Sequence, residues 1–162
     1  MTSILALDCS THVGHAYFAD VGAKPRLGTW KAPKSWSMED YGKRFHAFHN
    51  WLTDMLTTFN PDVLAFEAPV MVRGPNANTT EHILRTLIGL VSVAELIADL
   101  RGIRCFEVNV ATAKKELSGD GRAKKDDMVI AATRLGYDVS NDHEADAIAV
   151  ALVVFAQLGE RG

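Results

Sequence analysis

"ILALDCSTHVGHA", residues 4–16, decides how this chain is read. Ile4 to Leu7 are apolar without a break, and then a carboxylate arrives at Asp8. A short apolar run that ends in a charge reads as a buried strand. The segments "HVGHAYFADV" (12–21) and "RLGTWKA" (26–32), punctuated by Gly14 and by "GAKP" (22–25), extend it into an antiparallel three-strand meander.

Outward from there, residues 37–59 place Met38, Tyr41, Phe45, Phe48, Leu52, Met55 and Phe59 at three- and four-residue steps, with Ser37 as cap and Pro61 beyond the end. That spacing predicts a helix. "DVLAFEAP" (62–69) is the next strand, and it too carries a carboxylate near its end, Glu67. After a Pro/Gly/Asn loop (69–78), Asn78 or Thr79 is expected to cap a long helix running to Leu100. On it Glu81, Arg85, Glu95 and Asp99 take a narrow side, while Ile83, Leu84, Leu87, Leu90, Val91, Ala94 and Ile97 fill a wider arc. An apolar arc broader than one core needs predicts a second partner. "GIRCFEVN" (102–109) is a strand with Asn109 as the cap of a short helix, "VATAKKEL". The loop "SGDGRA", the helix "KKDDMVIAATRLG" and a last helix from about Asp142 complete the chain. The order β-β-β-α-β-α-β-α-α-α predicts an α/β fold, a mixed five-stranded sheet with helices on both faces.

The totals agree with one domain over residues 1–162. A formal net charge of −3 excludes a global positive field, so any nucleic-acid contact rests on local patches. Cys9 and Cys105 form no paired motif and read as buried thiols in a reducing compartment. No basic, then apolar, leader opens the sequence and the final apolar run is interrupted by Asp146, so the expectation is a cytoplasmic protein without a membrane partner.

The start of the last helix, "NDHEADAIAVA" (141–151), crowds Asp142, His143, Glu144 and Asp146 against an inward-facing set of Ala147, Ile148, Val150, Ala151, Val153, Val154 and Phe155. His143 and Asp146 share a face. If the first and fourth strands are neighbours, Asp8 and Glu67 meet at one end of the sheet. Carboxylates gathered without bases between them repel unless cations intervene. Hard divalent ions take oxygen ligands, and two of them roughly 4 Å apart stabilise both oxygens of a phosphoryl displacement. Asp8, Glu67, Asp146 and either His143 or Asp142 form a sufficient ligand set. Each acid alone reads more readily as a strand end in solvent or as a helix start favoured by the macrodipole; the combination points to ions.

"ILALDCSTHVGHA", "DVLAFEAP", "AKKELSGDGRAKKDDM" and "HEADAIAVAL" resemble, in order, segments of the RuvC-type Holliday junction resolvases, within the RNase H-like nuclease superfamily. The resemblance runs from residue 4 to about residue 152. It implies an RNase H-like sheet and an endodeoxyribonuclease that uses two magnesium or manganese ions per active site. It also implies a homodimer cutting two strands of a four-way or other branched DNA, leaving 5′-phosphate and 3′-hydroxyl ends. The matching acids are Asp8, Glu67 and Asp146. The remaining position, three residues before the last acid, is Asp in some members and His in others; here it is His143. Imidazole suits manganese better than magnesium, and it can also serve as a general base. His143 is therefore expected to contact a metal or the attacking water.

Lys114, Lys115, Arg122, Lys124 and Lys125 flank "SGDG", which suits phosphate contacts along a DNA backbone. The spacing of a nucleotide-binding phosphate loop is absent. In the resembled family the loop that matches 69–78 enters the junction centre; here it offers Val70, Met71, Arg73, Asn76 and Asn78, with no aromatic wedge. The wide arc of the 79–100 helix is expected to bury against its copy across a two-fold axis. A branch-migration partner is not readable. Two alternatives stay open: a non-catalytic branched-DNA-binding module of the same fold, and an actin-like phosphotransferase fragment, to which "LDCSTHVG" bears a faint likeness.

Overall fold

A computed structural model describes residues 1–70 and 80–159. The elements are β1 (Ile4–Cys9), β2 (His12–Phe18), β3 (Arg26–Lys31), α1 (Tyr41–Phe59), β4 (Val63–Glu67), α2 (Glu81–Leu100), β5 (Arg104–Val108), α3 (Val110–Ser118), α4 (Lys125–Arg134) and α5 (Asp142–Gln157). They make one five-stranded sheet in the order β3-β2-β1-β4-β5. β1–β2 and β2–β3 are antiparallel, whereas β1–β4 and β4–β5 are parallel. The predicted mixed sheet with helices on both faces is what forms.

All six residues of β1 are buried, as a central strand requires. Alternation then sorts its side chains between two cores. Ile4 and Ala6 join the cluster under α3, α4 and α5, while Leu5, Leu7 and Cys9 join the one under α1 and α2. β4 divides the same way, with Val63 and Ala65 on the α5 face and Leu64 and Phe66 on the other. α5 lies over β2, β1 and β4, and every inward residue expected of it is buried, Ala145 and Ala149 with them. Phe18 and Phe155 meet edge to face at 5.7 Å between ring centroids. On the opposite face α1 contributes Phe48, Leu52 and Leu56, and α2 contributes Leu90, Val91, Ala94, Ile97 and Ala98.

Several sequence expectations need correction. α1 starts at Tyr41 rather than Ser37, because the Ser37 amide donates to the Asp40 carboxylate in a separate turn, and Met38 stays in solvent. The cap of α2 is Thr80, whose hydroxyl accepts from the Ile83 amide. Asn78 and Thr79 lie outside the described residues. Cys9 is buried, but Cys105 is exposed because β5 is an edge strand. Gly14 does not break the chain; it sits inside β2, opposite Asp8.

Candidate active site

The alternation that builds the two cores also aims the acids. Asp8 has the parity of Ile4 and Ala6, and Glu67 that of Val63 and Ala65, so both point to the α5 face. Parallel pairing of β1 with β4 matches Leu7 to Phe66, which sets Asp8 beside Glu67 at the shared C-terminal end. The first turn of α5 lies over that end. Asn141 caps it by accepting from the Glu144 amide, and its side-chain amide donates to the Thr29 hydroxyl, tying the helix start to β3.

One contact fixes the depth of that helix start. A Cβ added at Gly14 would lie 2.1 Å from the His143 carbonyl oxygen and 2.4 Å from its carbon. Only a residue without a side chain lets α5 approach β2 this closely, and the approach delivers His143 to Asp8. The His143 Nδ1 lies 2.9 Å from Asp8 Oδ2, and Asp8 is buried. Nδ1 also lies 3.4 Å from the Ser10 hydroxyl, which donates to the His12 carbonyl in the turn after β1.

The remaining acids of the α5 start separate by function. Asp142 pairs with Lys125 at 3.6 Å. Glu144 is buried and accepts from the Ser140 amide, away from the cluster, in a cavity it shares with Lys24 and Tyr137. Asp146, one turn beyond Asp142, faces Asp8 and Glu67.

The electrostatics record this crowding. Burial, then the charges of Asp8 and Asp146 and a hydrogen bond with Asp8, raise the Glu67 carboxyl well above the usual carboxylate range. Burial, then Asp8 and Asp142, push Asp146 up to about 7. Lys114, half-buried on α3, counters both. The hydrogen bond to Asp8 raises His143 against the opposing effect of its burial. At neutral pH the three acids do not all ionise together without added positive charge.

That donor set fits hard divalent cations: three carboxylates whose repulsion a 2+ ion would relieve, with an imidazole on the rim. Among the described residues, no group of three or more His, Cys, Asp and Glu side chains stands ready-made to hold a metal ion. Asp8 is instead engaged by His143 and Glu67. Ligation therefore requires Glu67 to give up its proton and Asp8 to turn from His143 toward the ion.

Of the basic residues singled out in the sequence, Lys114 faces the carboxylates and Lys125 reaches Asp142, while Lys115, Arg122 and Lys124 are exposed nearby on α3 and the turn before α4. Met71, Arg73, Asn76 and Asn78 lie outside the described residues; Val70 is exposed. Sequence reasoning passed over Gly14, and over His12, whose ring centroid stands 5.6 Å from that of His143. The one available signal for both was their place, six and four residues after Asp8.

Comparisons with known proteins identify a family and a fold. A family model described as crossover junction endodeoxyribonuclease RuvC matches residues 9–154, a span that begins one residue after Asp8. A relative of that description from Granulibacter bethesdensis is 30% identical over 118 residues, covering 72% of this chain and 63% of its own length. One from Acidiphilium cryptum is 32% identical over 113 residues, covering 68% and 64%. The chain thus spans just under two thirds of the length of the curated relatives it matches. Among solved structures, Thermus thermophilus RuvC in complex with Holliday junction substrate superposes with a TM-score of 0.74 at 22% identity, over 98% of this chain and 97% of that one. The yeast mitochondrial Holliday junction resolvase Ydc2 superposes at 0.59 with 14% identity, over 92% and 75%. These two likenesses establish the fold.

Proposed function

The chain belongs to the crossover junction endodeoxyribonuclease RuvC family, and from that premise we propose that it is a divalent-metal-dependent endodeoxyribonuclease acting on four-way or other branched DNA. The observation that carries this reading is the convergence of Asp8, Glu67 and Asp146, from three remote segments, at one end of the sheet under the mouth of α5. Asp8, Glu67 and Asp146 would hold two magnesium or manganese ions, with His143 touching an ion or the attacking water. Such ions, when bound, stabilise charge on the attacking and leaving oxygens of a phosphodiester.

The side chains have their own work. Lys114 holds positive charge beside Glu67 and Asp146, where a phosphate would otherwise meet only acids. His143 presents Nδ1 to Asp8, which leaves Nε2 to take a proton from water. The same hydrogen bond raises the basicity of His143, so Asp8 both orients the ring and strengthens it as a base. Asp142 draws Lys125 to the rim, and with Lys115, Arg122 and Lys124 it offers phosphate contacts. As the family implies, hydrolysis would leave 5′-phosphate and 3′-hydroxyl ends.

Paired cutting calls for a second copy. Leu84, Ile88, Ser92, Leu96 and Leu100 step by four along α2; Ile88, Leu96 and Leu100 are exposed, and Leu84 and Ile88 line an apolar groove with Phe45 and Gly89. A homodimer across this face would bury them and set two sites about a two-fold axis suited to a four-way junction. No helix among the described residues is long and apolar enough to cross a membrane.

The test is a labelled synthetic four-way junction incubated with the protein in magnesium, manganese or chelator, beside flap and duplex controls. Symmetric nicks that need metal and vanish in Glu67→Gln support the reading. Binding without nicks in either metal would favour a passive junction-binding module.

A further inference from the structure

The carboxylate end of the sheet has a basic flank on one side, at α3 and α4. Its other side is built by the strands themselves. β2 runs antiparallel to β1, so His12 starts at the end where Asp8 finishes, and β3 runs antiparallel to β2, so Lys31 returns to the same end opposite His12. Across this edge the order is Lys31, His12, Asp8, Glu67 and then the end of β5 leading into α3. Lys31 lies two strands across from Asp8, at about 4.8 Å each, and two residues further along, at about 3.4 Å each, so its backbone stands about 12 Å away. Lys34 follows in the turn after β3 and acts, with Lys31, on the His12 ring. Both lysines are exposed, and neither makes an ion pair among the described residues. The acid that acts on His12 from this side, Asp142, is already engaged by Lys125.

We propose that Lys31 and Lys34 form a second phosphate-binding rim, opposite Lys114, Lys115, Lys124 and Lys125, so that the cut strand lies across the carboxylates from β3 to α3. A cluster of acids repels a phosphate backbone; cations on one flank alone anchor the strand on one side of the scissile phosphate and leave the other unheld. Lysines on both flanks position the backbone without reading its sequence. The inference rests on the nuclease reading and adds to it the direction in which the strand crosses the site.

The experiment measures binding of a labelled synthetic four-way junction in chelator, with salt varied from about 50 to 200 mM. The Lys31→Ala/Lys34→Ala variant should lower the magnitude of the log affinity against log salt slope by about 2, equally for junctions of different sequence. Lys31→Arg/Lys34→Arg should restore it. Lys115→Ala/Lys124→Ala serves as the comparison on the other flank. If that comparison variant loses slope while Lys31→Ala/Lys34→Ala keeps the wild-type slope and affinity, the second rim is wrong and the nuclease reading stands. A wild-type protein that binds no branched DNA overturns both.

Discussion

Replacing Gly14 by alanine tests whether the close approach of α5 to β2 sets the site. The new methyl would sit 2.1 Å from the His143 carbonyl oxygen, where ordinary contact begins at 3.4 Å, so the helix start must retreat by about 1.3 Å. The atoms in the way are backbone and cannot swing aside as a side-chain tip would. Overpacking of this kind costs about 1–3 kcal/mol, which for a chain of this size lowers the melting temperature by roughly 2–12 °C. The effect on chemistry is larger in proportion: His143 leaves Asp8, Asp146 leaves Glu67, and a misplacement of about 1 Å can cost about 100-fold in rate. Single-turnover cleavage of a four-way junction, measured well below the variant's melting temperature, reads that loss, with calorimetry reporting stability. Gly42→Ala, on α1 with nothing within 4 Å of the added carbon, is the matched control and should leave cleavage unchanged. A Gly14→Ala protein that cleaves at the wild-type rate would refute the claim that this contact positions the site.

Two further outcomes follow from the same geometry. His15 is turned toward α1, its ring centroid 5.5 Å from that of Trp51, with a buried Nδ1 that has no partner, and burial pushes its pKa down to about 4. A base whose folded pKa falls below its unfolded value leaves stability intact above about pH 6.5 and erodes it as the pH drops toward 4, because only the unfolded chain takes up the proton. At about 1.4 kcal/mol per pH unit, discounted for the ring's partial exposure, the loss is about 2 kcal/mol; denaturant titrations at pH 7 and pH 4.5 should show it in the wild type and not in His15→Leu. At the site itself, His143→Ala should lose cleavage in both metals while His143→Asp recovers magnesium-supported cleavage in preference to manganese-supported cleavage; unchanged cleavage by His143→Ala would remove the imidazole from the mechanism.

Much of this was legible because two periodicities carry it. The unbroken apolar run of Ile4–Leu7 and that of Val63–Phe66 announce central strands, and a charge closing each marks the same end once the strands pair in parallel. The last helix was legible for the opposite reason: a charged first turn before a segment buried on nearly every side. What sequence could not supply was depth. Gly14 reads as punctuation in a list of residues, and only the packed α5 shows that it is the point of closest approach. Ser37 and Asp40 both suit a helix cap, and local hydrogen bonding decides between continuing the helix and closing a turn. Lys31 and Lys34 carry no local signal at all, since their place beside the acids comes from strand order.

The most direct test is anomalous scattering from crystals soaked in manganese. Ions bound between the carboxylate oxygens of Asp8, Glu67 and Asp146, and lost in Glu67→Gln, are the predicted result. Fully occupied manganese elsewhere on the protein, with none between those three carboxyl groups, would contradict it.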